Sequence, residues 1–339
     1  MSDTKERLVF FRRAYPSANA VLVRGERPVL VDTGFGSDLS TTEDLLREAG
    51  VPPESLALIV NTHYHCDHAG GNSGLQRRYG LPIAAHRWEA DLVNRRDREA
   101  CSVEWLDQPI EPYRVDYPLS DGDEIDTGRV VLQVLHTPGH TLGHISLYAP
   151  EERVLIYGDA VHGDDVAWIN PFREGAGAMQ RALESLDRLA GLPVLRAYSG
   201  HGPGIEDPEA AIEAARGRYA KWLDEPQKAY WHACKRIFAY ALMIYGALDE
   251  EEVHPYLLRC PWFDDYARHG FGAEPSELAG PLVAEMLRSG AAGWRDERLV
   301  ALPPHNRPPA DWLSGPYRPK DWPKVPQPGD PGYKTSPPE

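Results

Sequence analysis

Between Thr62 and His68 the chain reads Thr-His-Tyr-His-Cys-Asp-His, three histidines and an aspartate within six residues. Imidazole nitrogens and a carboxylate at that density suit a borderline divalent cation such as Zn²⁺, and also Fe or Mn. His63 and His65, two residues apart, can point the same way from an extended turn, with Asp67 and His68 facing a second position nearby. Three further apolar runs end in the same way. His136-Thr-Pro-Gly-His140 follows residues 130–135, Gly158-Asp159 follows 154–157, and Ser199-Gly-His201-Gly202 follows 192–198. One histidine in a loop is a weak signal. Four runs that each end in a turn bearing His or Asp are the pattern of rigid strands presenting a shared site.

Those donors require a scaffold, and the hydrophobic pattern supplies one. Short apolar runs predict strands at 8–11, 20–23, 29–31, 56–60, 82–85, 130–135, 144–149, 153–157 and 193–198. Ser40-Thr-Thr-Glu43 reads as a capping box opening a helix. Further helices are expected at 72–79 and 176–190, with a charged helix plus loop at 87–107 covering the mouth of the site. Strands alternating with helices make residues 1–205 a layered α/β domain. Residues 206–300 turn helical, with segments at 207–224, 229–246, 249–259 and 275–289. A Gly-punctuated stretch then suits a two-stranded wing, so this subdomain reads either as a winged helix or as a plain helical cap. Residues 301–339 hold 12 of the 31 prolines, with Trp312, Tyr317, Trp322 and Tyr333 among them. This Pro-rich arm is expected either to be disordered or to wrap over its own subunit or a homodimer partner.

Composition narrows the function. The chain has 339 residues, 36 Lys+Arg against 51 Asp+Glu, and a net charge of −15. That balance argues against nucleic-acid and anionic-membrane partners, which select basic faces. Cys66, Cys101, Cys234 and Cys260 form no C-x-x-C pair and read as reduced thiols. The N-terminus lacks the apolar run of a signal peptide, and no stretch is long and apolar enough for a membrane helix. A cytoplasmic location is the expectation.

With these motifs the chain resembles the metallo-β-lactamase-fold hydrolases, which include glyoxalase II and acyl-homoserine lactonases. The matching pieces are Thr62-His-x-His-x-Asp-His68, Thr137-Pro-Gly-His-Thr-x-Gly-His144, Gly158-Asp159, Gly200-His201-Gly202 and the early Asp32-Thr-Gly34. They span roughly residues 7–205. The resemblance implies an αββα sandwich with metals at one rim. Carried over, His63, His65 and His140 hold a first metal, Asp67, His68 and His201 a second, and Asp159 bridges them. The implied cofactors are two divalent ions, Zn²⁺ foremost, with Fe or Mn as alternatives. True β-lactamases of the family usually lack the bridging Asp and carry an export signal, so antibiotic hydrolysis is not expected.

The implied activity is hydrolysis of a carboxylic ester, thioester or lactone by a metal-bridging hydroxide, because two close cations lower the pKa of a shared water. Asp67 is the expected catalytic residue, orienting the nucleophile and passing a proton to the leaving group. Tyr64 is a candidate oxyanion donor, and His162, Trp168 and Asn170 are candidate substrate contacts. Asp32 and His144 are expected to fix the ligand loops. His86, His136, His232, His254, His269 and His305 read as structural, and Cys66 as a small buried thiol. The competing readings are a phosphodiesterase or ribonuclease of the same superfamily, an iron-dependent sulfur oxygenase, which the full ligand set disfavours, and a non-catalytic ligand-binding member.

Overall fold

Alternation along short strands decides which layer each residue joins. In the computed structural model, which describes residues 6–163, 165–314 and 322, the first sheet has six strands in sequence order: β1 (Leu8–Phe11), β2 (Ala20–Val23), β3 (Val29–Val31), β4 (Leu58–Val60), β5 (Ile83–His86) and β6 (Tyr117–Leu119). β1, β2 and β3 pair antiparallel, and β3 to β6 pair parallel. The second sheet runs in reverse order from β11 (Arg196–Ser199) through β10 (Val154–Gly158), β9 (Ile145–Ala149) and β8 (Val131–His136) to β7 (Glu124–Asp126). Val21, Val23, Val29, Val31 and Val60 face Leu132, Val134, Ile145, Leu147 and Ile156 in a core between the sheets. Their sequence neighbours Leu22, Leu30 and Ile59 point outward to a second core, and Leu155 and Tyr157 to a third. The strict period of two produces this separation. Strands buried on both faces read as continuous apolar runs, as they do here.

Helices cover both outer faces. α1 (Leu39–Glu48), α2 (Cys66–Ala69), α3 (Asn72–Tyr79), α4 (Arg87–Arg95) and α5 (Val103–Leu106) precede the second sheet, and α6 (Ala178–Ala190) lies between β10 and β11. The result is an αββα sandwich. After β11 come α7 (Pro208–Asp224), α8 (Pro226–Tyr245), α9 (Glu250–Arg259), α10 (Pro261–Asp265) and α11 (Pro275–Arg288). A small sheet of β12 (Leu248–Asp249), β14 (Arg298–Ala301) and β13 (Ala292–Arg295) closes this region. Its hairpin turns at Asp296 and Glu297, both with positive φ, as a two-residue primed turn requires.

Several boundaries differ from the sequence reading. The expected capping box does not form. α1 starts one residue before Ser40, and buried Glu43 accepts instead from Arg78 and from the Tyr79 hydroxyl. β11 starts at Arg196 rather than 193, after a turn built around Pro193. Residues 266–271, between the helices read from the sequence, wind into a π-helical turn. In the Pro-rich arm, Trp312 packs on Phe35 and Trp322 is buried, its indole N–H donating to the Ile110 carbonyl. Tyr317 and Tyr333 lie outside the described residues.

Candidate metal centre

The candidate donors leave strand ends at one rim. β4 passes into Asn61-Thr62, and a hydrogen bond from Ile145 N–H to the Thr62 carbonyl (2.8 Å) joins the two sheets there. Asp32 ends β3 with φ of 60°, a left-handed conformation that Asp tolerates better than most residues. Its Oδ1 accepts from the Thr62 amide and its Oδ2 from the Thr62 hydroxyl, both at 2.8 Å. The same Oδ2 lies 2.8 Å from His68 Nδ1. His65 is extended and α2 begins at Cys66, so His63 and His65 leave extended chain while Asp67 and His68 leave a helical turn.

Two groups of donors result. His65 Nδ1 lies 3.1 Å from His63 Nε2 and 3.0 Å from His140 Nε2. In the other group, His201 Nε2 lies 3.1 Å and His68 Nε2 3.8 Å from Asp67 Oδ2. Asp159 stands between them. Its Oδ1 is 3.2 Å from His68 Nε2, and its Oδ2 is 3.7 Å from both His140 and His201. His144 sits behind, accepting from the Asp159 amide at 3.0 Å while its Nδ1 meets the Thr137 hydroxyl at 2.9 Å. Burial pushes its pKa down to about 3, so it is a neutral acceptor.

These residues could hold metal ions. Tetrahedral Zn²⁺ with ~2.0–2.1 Å bonds sets its nitrogens about 3.3 Å apart, close to the 3.1 Å and 3.0 Å that separate His65 from His63 and His140. Burial, then the neighbouring imidazoles, hold His63 and His65 well below the usual histidine range, which leaves their lone pairs free to donate. His68 Nε2 and Asp159 Oδ1 are buried and, although 3.2 Å apart, neither makes an aligned hydrogen bond, a costly state unless an ion completes it. Burial alone would lower His68, but Asp159, Asp32 and Asp67 outweigh it and raise its pKa well above normal. The second group is thus anionic in character and attracts positive charge.

A cavity of about 400 Å³ opens above these donors. His65, Asp67, His140, Asp159 and His201 form its floor, and Trp168, Ala239, Met243, Ala291 and Pro303 give it apolar walls. α8 roofs it and contributes Lys235 and Arg236, which pair with Glu285 and Asp165. Among the candidate substrate contacts, His162 and Trp168 line the cavity. Trp168 stacks near His65, and its carbonyl lies 2.7 Å from His140 Nδ1. His162 Nε2 lies 3.1 Å from Asp159 Oδ1. Tyr64 and Asn170 do not line it. The Tyr64 hydroxyl lies against Ser102, 3.4 Å away, and the Asn170 side chain caps its own turn by accepting from the Phe172 and Arg173 amides. Of the charged stretch 87–107, no residue reaches the cavity, although Gln108 just beyond it does. His232, read as structural, lines the cavity and lies 3.1 Å from the Val166 carbonyl. Tyr15 was not singled out by the sequence, yet its ring stacks on His201 with centroids 4.9 Å apart. No local spacing marks Tyr15, Lys235 or Arg236; only the fold brings them here.

The model of the metallo-beta-lactamase superfamily matches residues 15–201, more than half of the chain. The chain belongs to the metallo-β-lactamase superfamily. It is a hydrolase of that superfamily. It is similar to the acyl-coenzyme A thioesterase MBLAC2 of Gallus gallus, with 33% identity over 201 residues, covering 50% of this chain and 68% of that one. It is also similar to the hydroxyacylglutathione hydrolase of Hyphomonas neptunium, with 28% identity over 186 residues, covering 53% of this chain and 63% of that one. Among solved structures, a metallo-beta-lactamase family protein from Thermus thermophilus superposes with a TM-score of 0.56 at 25% identity, covering 87% of this chain and 98% of that one. Members of the superfamily bind divalent metals, and the His/Asp groups here could hold them. No helix among the described residues is long and apolar enough to cross a membrane.

Proposed function

We propose that the protein hydrolyses acyl thioesters at a dinuclear metal centre, with Zn²⁺ the foremost candidate metal. His63, His65 and His140 would hold one ion, Asp67, His68 and His201 the other, and Asp159 would touch both. The observation that carries this reading is the pair of donor groups, each within 4.8 Å, on the floor of a cavity with apolar walls. The names of two relatives, an acyl-coenzyme A thioesterase and a hydroxyacylglutathione hydrolase, support an acyl group carried on a thiol. When bound, the ions supply Lewis acidity and a water of lowered pKa.

The chain's own residues do the rest. Burial would raise the Asp67 carboxyl, but His68 and His201 outweigh it and hold its pKa below normal, so the group is ionised and can take a proton from the nucleophile and return it to the leaving thiolate. Trp168 and Met243 exclude water from the acyl group. Residues 1–205 would form the catalytic unit and 206–300 a cap that selects the substrate through α8. The proposed substrate is a small molecule rather than a nucleic acid.

The test is metal analysis of the purified chain together with a panel of thioesters, lactones and bis-p-nitrophenyl phosphate. Close to two ions per chain and turnover led by thioesters are expected. Dominant phosphodiester cleavage without acyl hydrolysis would overturn the proposal.

A further inference from the structure

Two buried carboxyl groups grip the loop that carries His140, and the chemistry proposed above uses neither. Glu89, on α4, is 1% exposed. Its Oε1 bonds the Thr141 hydroxyl at 2.6 Å, while its Oε2 is buried without a hydrogen-bond partner. Glu174 approaches from the segment before α6 and accepts from the Leu142 amide at 2.7 Å. Thr141 and Leu142 are the two residues that follow His140. The fit is close: a Cβ on Gly143 would stand 2.4 Å from Glu89 Cγ, so the loop can pass Glu89 only because residue 143 has no side chain.

Burying two acids is costly, and Glu174 disfavours the charged form of Glu89. Their acceptor oxygens hold the Thr141 hydroxyl and the Leu142 amide directly after His140, whose ring is fixed on its far side by the Trp168 carbonyl. From two elements, α4 and the 171–177 segment, they fix where Nε2 enters the group formed with His63 and His65. We propose that Glu89 and Glu174 are positioning residues for His140, setting the geometry and affinity of the first metal position. The inference rests on the reading of His140 as a metal donor.

The experiment loads Co²⁺ into the full chain and into the variants Glu89→Ala, Glu174→Ala, Glu89→Gln and Glu174→Gln. Visible ligand-field absorption and the two stepwise dissociation constants are read by chelator competition. In both alanine variants one ion should bind about 10- to 100-fold more weakly, the range for loss of a group that orients a ligand, with altered bands. The other constant should stay unchanged, which shows that the chain is folded. The glutamine variants keep an acceptor oxygen and should behave as wild type. Unchanged constants and spectra in both alanine variants overturn this inference alone. A wild-type chain that binds no Co²⁺ overturns the proposed function and this inference with it.

Discussion

Asp32 and His68 meet at 2.8 Å, Oδ2 to Nδ1, with both side chains buried. With an ion bound, the contact would set the tautomer: a proton on Nδ1 would face the carboxylate, and the Nε2 lone pair would face Asp159 and Asp67. Asp32 also accepts two hydrogen bonds from Thr62, so one carboxylate at the end of β3 fixes both the start of the ligand turn and its last histidine. The early Asp-Thr-Gly element therefore holds the turn without joining either donor group.

Replacing Asp32 by Asn should keep the shape and remove the charge that favours this tautomer. Affinity for one of the two proposed ions should fall about 10- to 100-fold. Titration calorimetry of the metal-free chain would show it as weakening of one binding step while the other is retained. Two unchanged steps would contradict this role.

Asp159→Ala removes the carboxylate that lies within 3.7 Å of His68, His140 and His201. His65→Ala removes the nitrogen that stands about 3 Å from both His63 and His140. Each variant should lose bound metal and turnover together. Elemental analysis alongside thioester hydrolysis measures both, and full metal content with full activity in either variant would reject the assignment.

Glu174 gives the metal-free chain a pH-dependent stability. Burial raises its pKa to about 7 from an ordinary 4.5; the Leu142 amide and Arg181 oppose the rise, and Glu99 adds to it. Glu89 on α4 is a second buried acid, its own pKa raised by burial and by Glu174. The folded chain thus keeps a proton that the unfolded chain releases above pH 4.5. The associated stability is fully present below that pH and is lost as pH rises through 7, amounting to roughly 3 kcal/mol over the window. Glu174→Gln should lack this slope. In urea unfolding of the metal-free forms, the variant should gain on wild type between pH 5 and pH 7.5.

Much of the floor of the candidate site was legible because its candidate donors are local in sequence. Four of them lie between His63 and His68, and each of the others follows an apolar strand and a glycine. The walls were not, because α8 reaches the centre from residues 235–243, more than 160 residues after the Thr62–His68 turn. Tyr64 looked like an oxyanion donor by adjacency alone, but the turn at His65 sends its hydroxyl to Ser102. β6 and β7 went unread because each has three residues and one buried side chain, too short for alternation to show. Glu43 matched a capping box by spacing, and tertiary partners on α3 claimed its carboxylate instead.

Gly200 separates crowding at the centre from a general effect of removing a glycine. A Cβ there would stand 2.2 Å from Asp159 Oδ1 and 2.6 Å from His68 Cε1. Gly200→Ala must displace both side chains, at about 1–3 kcal/mol of overpacking, and the displaced atoms are the two that lack hydrogen-bond partners or flank one. Gly217, inside α7, has open space around the same position, so Gly217→Ala should stabilise the helix by up to about 1 kcal/mol. Differential scanning calorimetry with metal analysis tests the pair. Gly200→Ala should lower the Tm and lose metal, while Gly217→Ala should hold or raise the Tm with full metal content. A Gly200→Ala chain with wild-type metal content would mean that Asp159 and His68 can move without loss of metal, against their close packing on Gly200.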